Sequence, residues 1–102
     1  MVFVETPNFT RRLRDHMDDD EYARLQAFLA ERPQAGAVIR GSGGIRKLRW
    51  PGSGRGKRGG LRVLYFWWVA TDRISMLLIY PKNEMDDLTP AQLNLLRNQL
   101  LS

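Results

Sequence analysis

The sequence predicts an α+β fold: one small antiparallel-rich sheet packed on a helical hairpin and a C-terminal helix, in the order β-α-α-β-β-β-α. Three observations carry this. Residues 61–69 (LRVLYFWWV) and 74–80 (ISMLLIY) are rich in β-branched and aromatic residues and are separated by a short polar turn, the pattern of two adjacent antiparallel strands. Residues 45–50 (IRKLRW) alternate apolar and basic, as a strand with two different faces does. Helix-start signals stand at Thr6-Pro7, Asp18 and Thr89-Pro90, each followed by apolar residues at helical spacing.

The elements follow in order. Residues 2–5 read as a short first strand. Thr6 is an N-cap with Pro7 at the first helical position, and Phe9, Leu13 and Met17 make one face while Arg11, Arg12 and Arg14 turn away. Asp18 with Glu21 three residues on fits a capping box, and the acids suit the positive end of a helix dipole. Tyr22, Leu25, Phe28 and Leu29 form the apolar face of this second helix, and Pro33 ends it. His16, at the end of the first helix, is read as a carbonyl cap and not as a catalytic group. Residues 34–44 are expected to be a loop.

In residues 45–50, period two puts Ile45, Lys47 and Arg49 on one face and Arg46, Leu48 and Trp50 on the other. Leu48 and Trp50 are expected to face the core, which leaves Lys47 and Arg49 side by side on an open face. Residues 51–60 form a glycine-rich hairpin loop carrying Arg55, Lys57 and Arg58. Its spelling matches G-x-G-x-x-G, but a strand follows where that fingerprint needs a helix, and no Ser or Thr follows Lys57 as a P-loop requires. The strand over 61–69 is apolar on both faces and is expected at the centre of the sheet. Residues 81–84 leave the sheet. Thr89, Pro90 and Gln92 then start the last helix, with Leu88 placed to staple Leu93, and Leu93, Leu96 and Leu100 form its apolar face. Helices are expected on one side of the sheet, with the opposite face partly open.

Composition sets the classes of function. A chain of 102 residues with 43% apolar content is expected to be a single domain, 1–102, with one modest core. No apolar run has the roughly 18 residues needed to span a membrane, and the opening residues lack the basic-then-apolar order of a signal peptide. With no cysteine, disulfides and thiol metal sites are excluded, and the single histidine, His16, argues against a His-based zinc site or a two-histidine nuclease. A cytoplasmic protein without cofactor or metal is the expectation.

Net charge is +5 and the pI about 10.2. The charge is clustered: residues 40–62 (RGSGGIRKLRWPGSGRGKRGGLR) hold eight of the sixteen basic residues and no acid, and all nine glycines lie between Gly36 and Gly60. Such a cluster repels itself unless a polyanion meets it. A phosphate-facing surface built on a sheet is therefore expected.

The N-terminal strand, the helical hairpin, GGIRKLRW, GKRGGLRVLYFW and LLIYPKNEMDDLTPAQ together resemble the RelE/HigB toxins of the RelE/ParE superfamily, and most closely the HigB-like branch. The resemblance covers nearly the whole chain. It implies the toxin of a type II toxin–antitoxin system: a small basic endoribonuclease, or mRNA interferase, that enters the ribosomal A site, cleaves the mRNA there and inhibits translation. It also implies a cognate helix-turn-helix antitoxin that neutralises the toxin, and a complex of the two that binds operator DNA. Residue by residue, it implies that Lys47 is the general base, that Arg49 lies beside it, that Arg62 braces the scissile phosphate, and that Lys82 is the basic residue after the last strand. Arg46, Arg55, Lys57, Arg58, Tyr80 and Asn83 are the further RNA-binding candidates. Two departures stand out. Asn83 replaces an arginine credited in RelE with protonating the leaving oxygen. Residues 86–89 (DDLT) lack the stacking tyrosine found there. Lys82, Lys57 or Arg58 are left for the acid role, and Tyr80 or Trp50 for stacking.

The residues suit this chemistry without a metal. The RNA 2′-OH is an internal nucleophile whose attack on the adjacent phosphate leaves a 2′,3′-cyclic phosphate. The protein must align the chain, take a proton and stabilise added negative charge, and fixed arginines meet phosphate oxygens bidentately. Crowding Lys47 among Arg46, Arg49 and Arg62 disfavours its ammonium form and makes a lysine base conceivable. Two other readings compete. One is a non-catalytic nucleic-acid-binding module stacking bases on Trp50, Trp67, Trp68 and Tyr80. The other is a ParE-like gyrase poison, whose relatives generally lack such a lysine- and arginine-lined face.

Overall fold

The computed structural model describes residues 1–51, 60–85 and 87–101. A single mixed sheet runs in the order β1-β5-β4-β3-β2. Its strands are β1 (Val2–Glu5), β2 (Ala37–Val38), β3 (Arg46–Trp50), β4 (Leu61–Trp68) and β5 (Arg73–Pro81), and its helices are α1 (Pro7–Leu13), α2 (Asp19–Glu31) and α3 (Pro90–Leu101). Neighbours are antiparallel except β1, which runs parallel to β5 at one edge. The α+β reading and the central place of β4 hold. β2, in residues read as loop, is a fifth strand.

Each helix starts where its cap says it should. The Thr6 hydroxyl accepts from Phe9 N at 3.1 Å and donates to Leu77 O at 3.1 Å, so one side chain both caps α1 and fastens it to β5. Asp18 accepts from Glu21 N at 2.8 Å. Thr89 and Gln92 exchange reciprocal bonds of 2.8 and 3.2 Å at the start of α3.

The pleat of β4 divides the apolar residues into two cores. Leu61, Val63 and Tyr65 join Leu48, Ile74, Met76 and Ile79 under α1 and α2, with Phe9, Leu25 and Leu29 from the helices. Leu64 joins Ile45, Leu77, Leu78 and Tyr80 on the other face, and Leu96 of α3 packs there. Leu77 and Leu78 share that face although they are adjacent in sequence. The reason is a bulge: Leu64 pairs with Leu78 but Tyr65 pairs with Met76, so Leu77 is the extra residue that resets the alternation of β5. The expectation of helices on one side only is corrected accordingly. α3 lies on the opposite face, because the leucines that the bulge turns there would otherwise meet water.

The link from α2 to β3 is held by one hydroxyl. Tyr65 is fully buried, and its hydroxyl accepts from Gly36 N and donates to Pro33 O, both at 2.8 Å. A Cβ on Gly36 would lie 2.9 Å from the Tyr65 ring, which is why the smallest residue stands there. This clasp sets Ala37 beside Lys47 in the β2–β3 register.

Candidate functional site

β3 and β4 bring the basic residues together through register alone. Arg49 pairs with Arg62 across the two strands, and Arg62 pairs with Tyr80 of β5; Lys47 pairs with Leu64, one step along the same face. Leu48 and Val63 sit in the core under α1 and α2, so period two turns Lys47, Arg49 and Arg62 to the opposite face. That is the face of α3, whose Leu96 packs there with Ile45, Leu64, Leu77, Leu78 and Tyr80. Lys47 and Arg62 therefore stand on one side of the sheet, diagonal neighbours on adjoining strands. A diagonal spacing of roughly 7–8 Å between such positions is within reach of two long side chains gripping one phosphate.

The row is electrostatically strained. Arg49 and Arg62 are directly opposed like charges, an arrangement that costs up to about 1 kcal/mol in a sheet. Arg49 is exposed, whereas Arg62 is only 7% exposed and donates to Leu61 O at 3.3 Å.

Lys47 already has one anion. Its ammonium donates to Asp87 at 2.9 Å; Lys47 is 27% exposed and Asp87 80%. This hydrogen bond and the lysine charge hold the Asp87 carboxyl below its ordinary range. Tyr80, 1% exposed, lies close by: burial holds its phenol above the usual value, Asp87 adds to that, and Arg62 opposes it. The expected candidates are thus joined by a residue that sequence reasoning passed over. Asp87 is forty positions from Lys47, and no spacing rule links them.

Other candidates fall elsewhere. Arg46 points to the α2 side of the sheet and donates to Gln34 O at 3.2 Å and Gly36 O at 2.8 Å. It clips the chain and does not crowd Lys47, because neighbours along a strand point to opposite faces. The like-charge crowding expected around Lys47 is corrected on both counts: Arg46 is absent from that face and Asp87 is present. Tyr80 was a stacking candidate, but its ring is packed in the second core, with Met85 and Leu88 against that same cluster. Trp50 donates its indole N–H to Glu21 at 3.1 Å and meets Phe28 edge-on at 5.7 Å. Trp67 packs on the first core, and Trp68 donates to Ser75 at 2.9 Å beneath the Arg73 guanidinium. The large aromatics serve packing.

Lys82 and Asn83 lie exposed in the turn after β5. That turn is tied to the basic row: Lys82 N donates to Gly60 O at 3.1 Å, Leu61 pairs with Pro81, and Arg12 of α1 reaches across to Ile79 O and Glu84 at 2.8 and 2.7 Å. Arg55, Lys57 and Arg58 lie outside the described residues, as does Asp86. Among the described residues no group of three or more His, Cys, Asp or Glu side chains converges, and no helix is long and apolar enough to cross a membrane.

The architecture defines the class: a mixed five-stranded sheet with a helical hairpin on one face, one helix on the other and a basic row beside that helix. No family model matches the chain. Among solved structures it is similar to the E. coli toxin RelE, in an arginine-to-alanine double mutant in the free state. The TM-score is 0.64 at 12% identity, and the match covers 94% of this chain and 95% of that one. The fold is RelE-like.

Proposed function

We propose that this chain is the toxin of a toxin–antitoxin pair of the RelE/HigB kind, an endoribonuclease that cleaves mRNA in the ribosomal A site. The observation that carries the proposal is the shared face of Lys47, Arg49 and Arg62 on a RelE-like sheet. Each has a task in attack by the 2′-OH. Lys47, once released from Asp87 and deprotonated, takes the 2′-OH proton. Arg62, nearly buried and so fixed in direction, braces a non-bridging oxygen of the scissile phosphate. Arg49 opposite it offsets the charge that builds in the transition state. Lys82, exposed beyond the end of β5, is the remaining candidate to protonate the leaving 5′-oxygen, with Asn83 beside it as a hydrogen-bonding group. Tuned acid–base chemistry supplies about 10²–10⁴-fold, and the ribosome supplies the orientation of the mRNA. The protein acts in the cytoplasm, needs no cofactor, and is held in check by a helix-turn-helix antitoxin.

The test is cleavage of mRNA by purified protein on programmed ribosomes. Lys47→Ala and Arg62→Ala are each expected to cut at least a hundredfold more slowly with the fold retained by circular dichroism. Full activity in both variants overturns the assignment. Salt-sensitive RNA binding without any cleavage would favour the binding module, and gyrase-linked DNA breaks the ParE-like reading.

A further inference from the structure

We infer that Asp87 stands in for a substrate phosphate: its carboxylate fills the anion subsite at Lys47, and an incoming single-stranded RNA must displace it. The observations are independent of the strand register. Asp87 is not part of a helix or strand; it belongs to the short connection between β5 and α3. Its neighbour Leu88, with Met85, packs on the second core beside Tyr80, which anchors the connection over the basic row. The Asp87 side chain itself stays in water, so its position comes from Lys47 and not from burial. A carboxylate oxygen 2.9 Å from an ammonium occupies the place and charge of a phosphate oxygen. An ammonium held in that bond is a donor, not a base. While that bond stands the Lys47 ammonium is engaged, and RNA reaches it only by taking the place of Asp87.

The inference rests on the proposed function for the identity of the polyanion, but its test does not need cleavage. Asp87→Asn is compared with Glu31→Gln, which removes the same unit of charge from an exposed position at the far end of α2. Binding of a labelled oligouridylate is followed by fluorescence anisotropy across a salt series. Asp87→Asn is expected to bind about three- to tenfold more tightly than Glu31→Gln at low salt. Its log K against log salt should steepen by about 0.7, one released cation meeting one phosphate. In a Lys47→Met background the gain is expected to vanish, which a general charge effect would not do. The inference is overturned if Asp87→Asn binds no better than Glu31→Gln, binds more weakly than the unmodified protein, or keeps its gain without Lys47. Tighter binding with no cleavage on ribosomes leaves the inference standing and removes the nuclease reading. Lys47-dependent cleavage without tighter binding does the reverse.

Discussion

Replacing Tyr65 with phenylalanine removes one oxygen and two hydrogen bonds, and the cost can be worked from the geometry. The hydroxyl joins Gly36 N and Pro33 O, each at 2.8 Å. Gly36 is buried, so its N–H is left without a partner, a loss of about 1–3 kcal/mol; Pro33 is half-buried and its carbonyl recovers water, so that bond is worth about 0.5–1.5 kcal/mol. The sum is about 1.5–4.5 kcal/mol, a large share of a domain stability of roughly 5–15 kcal/mol. For a chain of this length about 1 kcal/mol corresponds to roughly 5 °C, so Tm is expected to fall by about 8–20 °C. Urea unfolding followed by tryptophan fluorescence measures the free energy, and hydrogen exchange reads the Gly36 amide. The expected result is a lower midpoint with an unchanged m-value and early exchange at Gly36. A Tm within about 2 °C of the parent, with Gly36 still protected, would show that this hydroxyl does not hold β2 against β3.

The remaining predictions concern other parts of the same frame. Arg46→Met should lower stability by about 1.5–3 kcal/mol, because a charged donor to two carbonyls is lost, and should leave ribosomal cleavage within about twofold. Gly60 has φ of 65°, and a Cβ there would lie 2.7 Å from Pro51 O, so Gly60→Ala should cost about 1–3 kcal/mol in urea unfolding and slow cleavage by shifting the start of β4. Tyr22, Tyr65 and Tyr80 are all held above the ordinary tyrosine value of 10.0, mainly by burial. A raised tyrosine contributes stability that is present below the unfolded value and lost as pH rises toward the folded one. Urea midpoints should therefore fall as pH rises above 10, and less steeply in Tyr22→Phe, whose phenol donates to Glu5 in the parent.

How much of this could be read from the sequence depends on the range of the interaction. The caps at Thr6, Asp18 and Thr89 were legible because a cap is decided within four residues, and each formed as expected. The faces of β3 were legible because alternation is fixed by the backbone: Leu48 is in the core and Lys47 opposite it. What escaped was set by distant partners. β2 exists because Tyr65, twenty-nine positions away, clasps Gly36. α3 covers the second face because Leu77 is squeezed out of register, and nothing in ISMLLIY marks which residue will bulge. Arg46 looked like another cation for RNA, since its carbonyl partners belong to a chain turn that composition does not reveal. Arg55, Lys57 and Arg58, expected in a basic loop, lie outside the described residues.

The position of Asp87 also bears on how so basic a sheet face folds. Eight cations crowd residues 40–62, and two arginines stand opposed in the sheet. Left alone, that repulsion would oppose closure of β3 on β4, the pairing that creates the site. The chain relieves part of it from within. Arg46 is taken to the other face and spent on carbonyls, and Lys47 is paired with Asp87. Arg49 and Arg62 stand directly opposite each other on β3 and β4. The two internal remedies differ in kind: Arg46 is bound to backbone that does not move away, whereas Asp87 sits in water on a connection outside any regular element. The exposed pairing lies at Lys47, on the face shared with Arg49 and Arg62, and the backbone pairing at Arg46, which faces away. A fold stabilised throughout by backbone pairing would leave no cation open to an anion, and one with no pairing would oppose its own assembly. An exposed aspartate on Lys47 meets both demands.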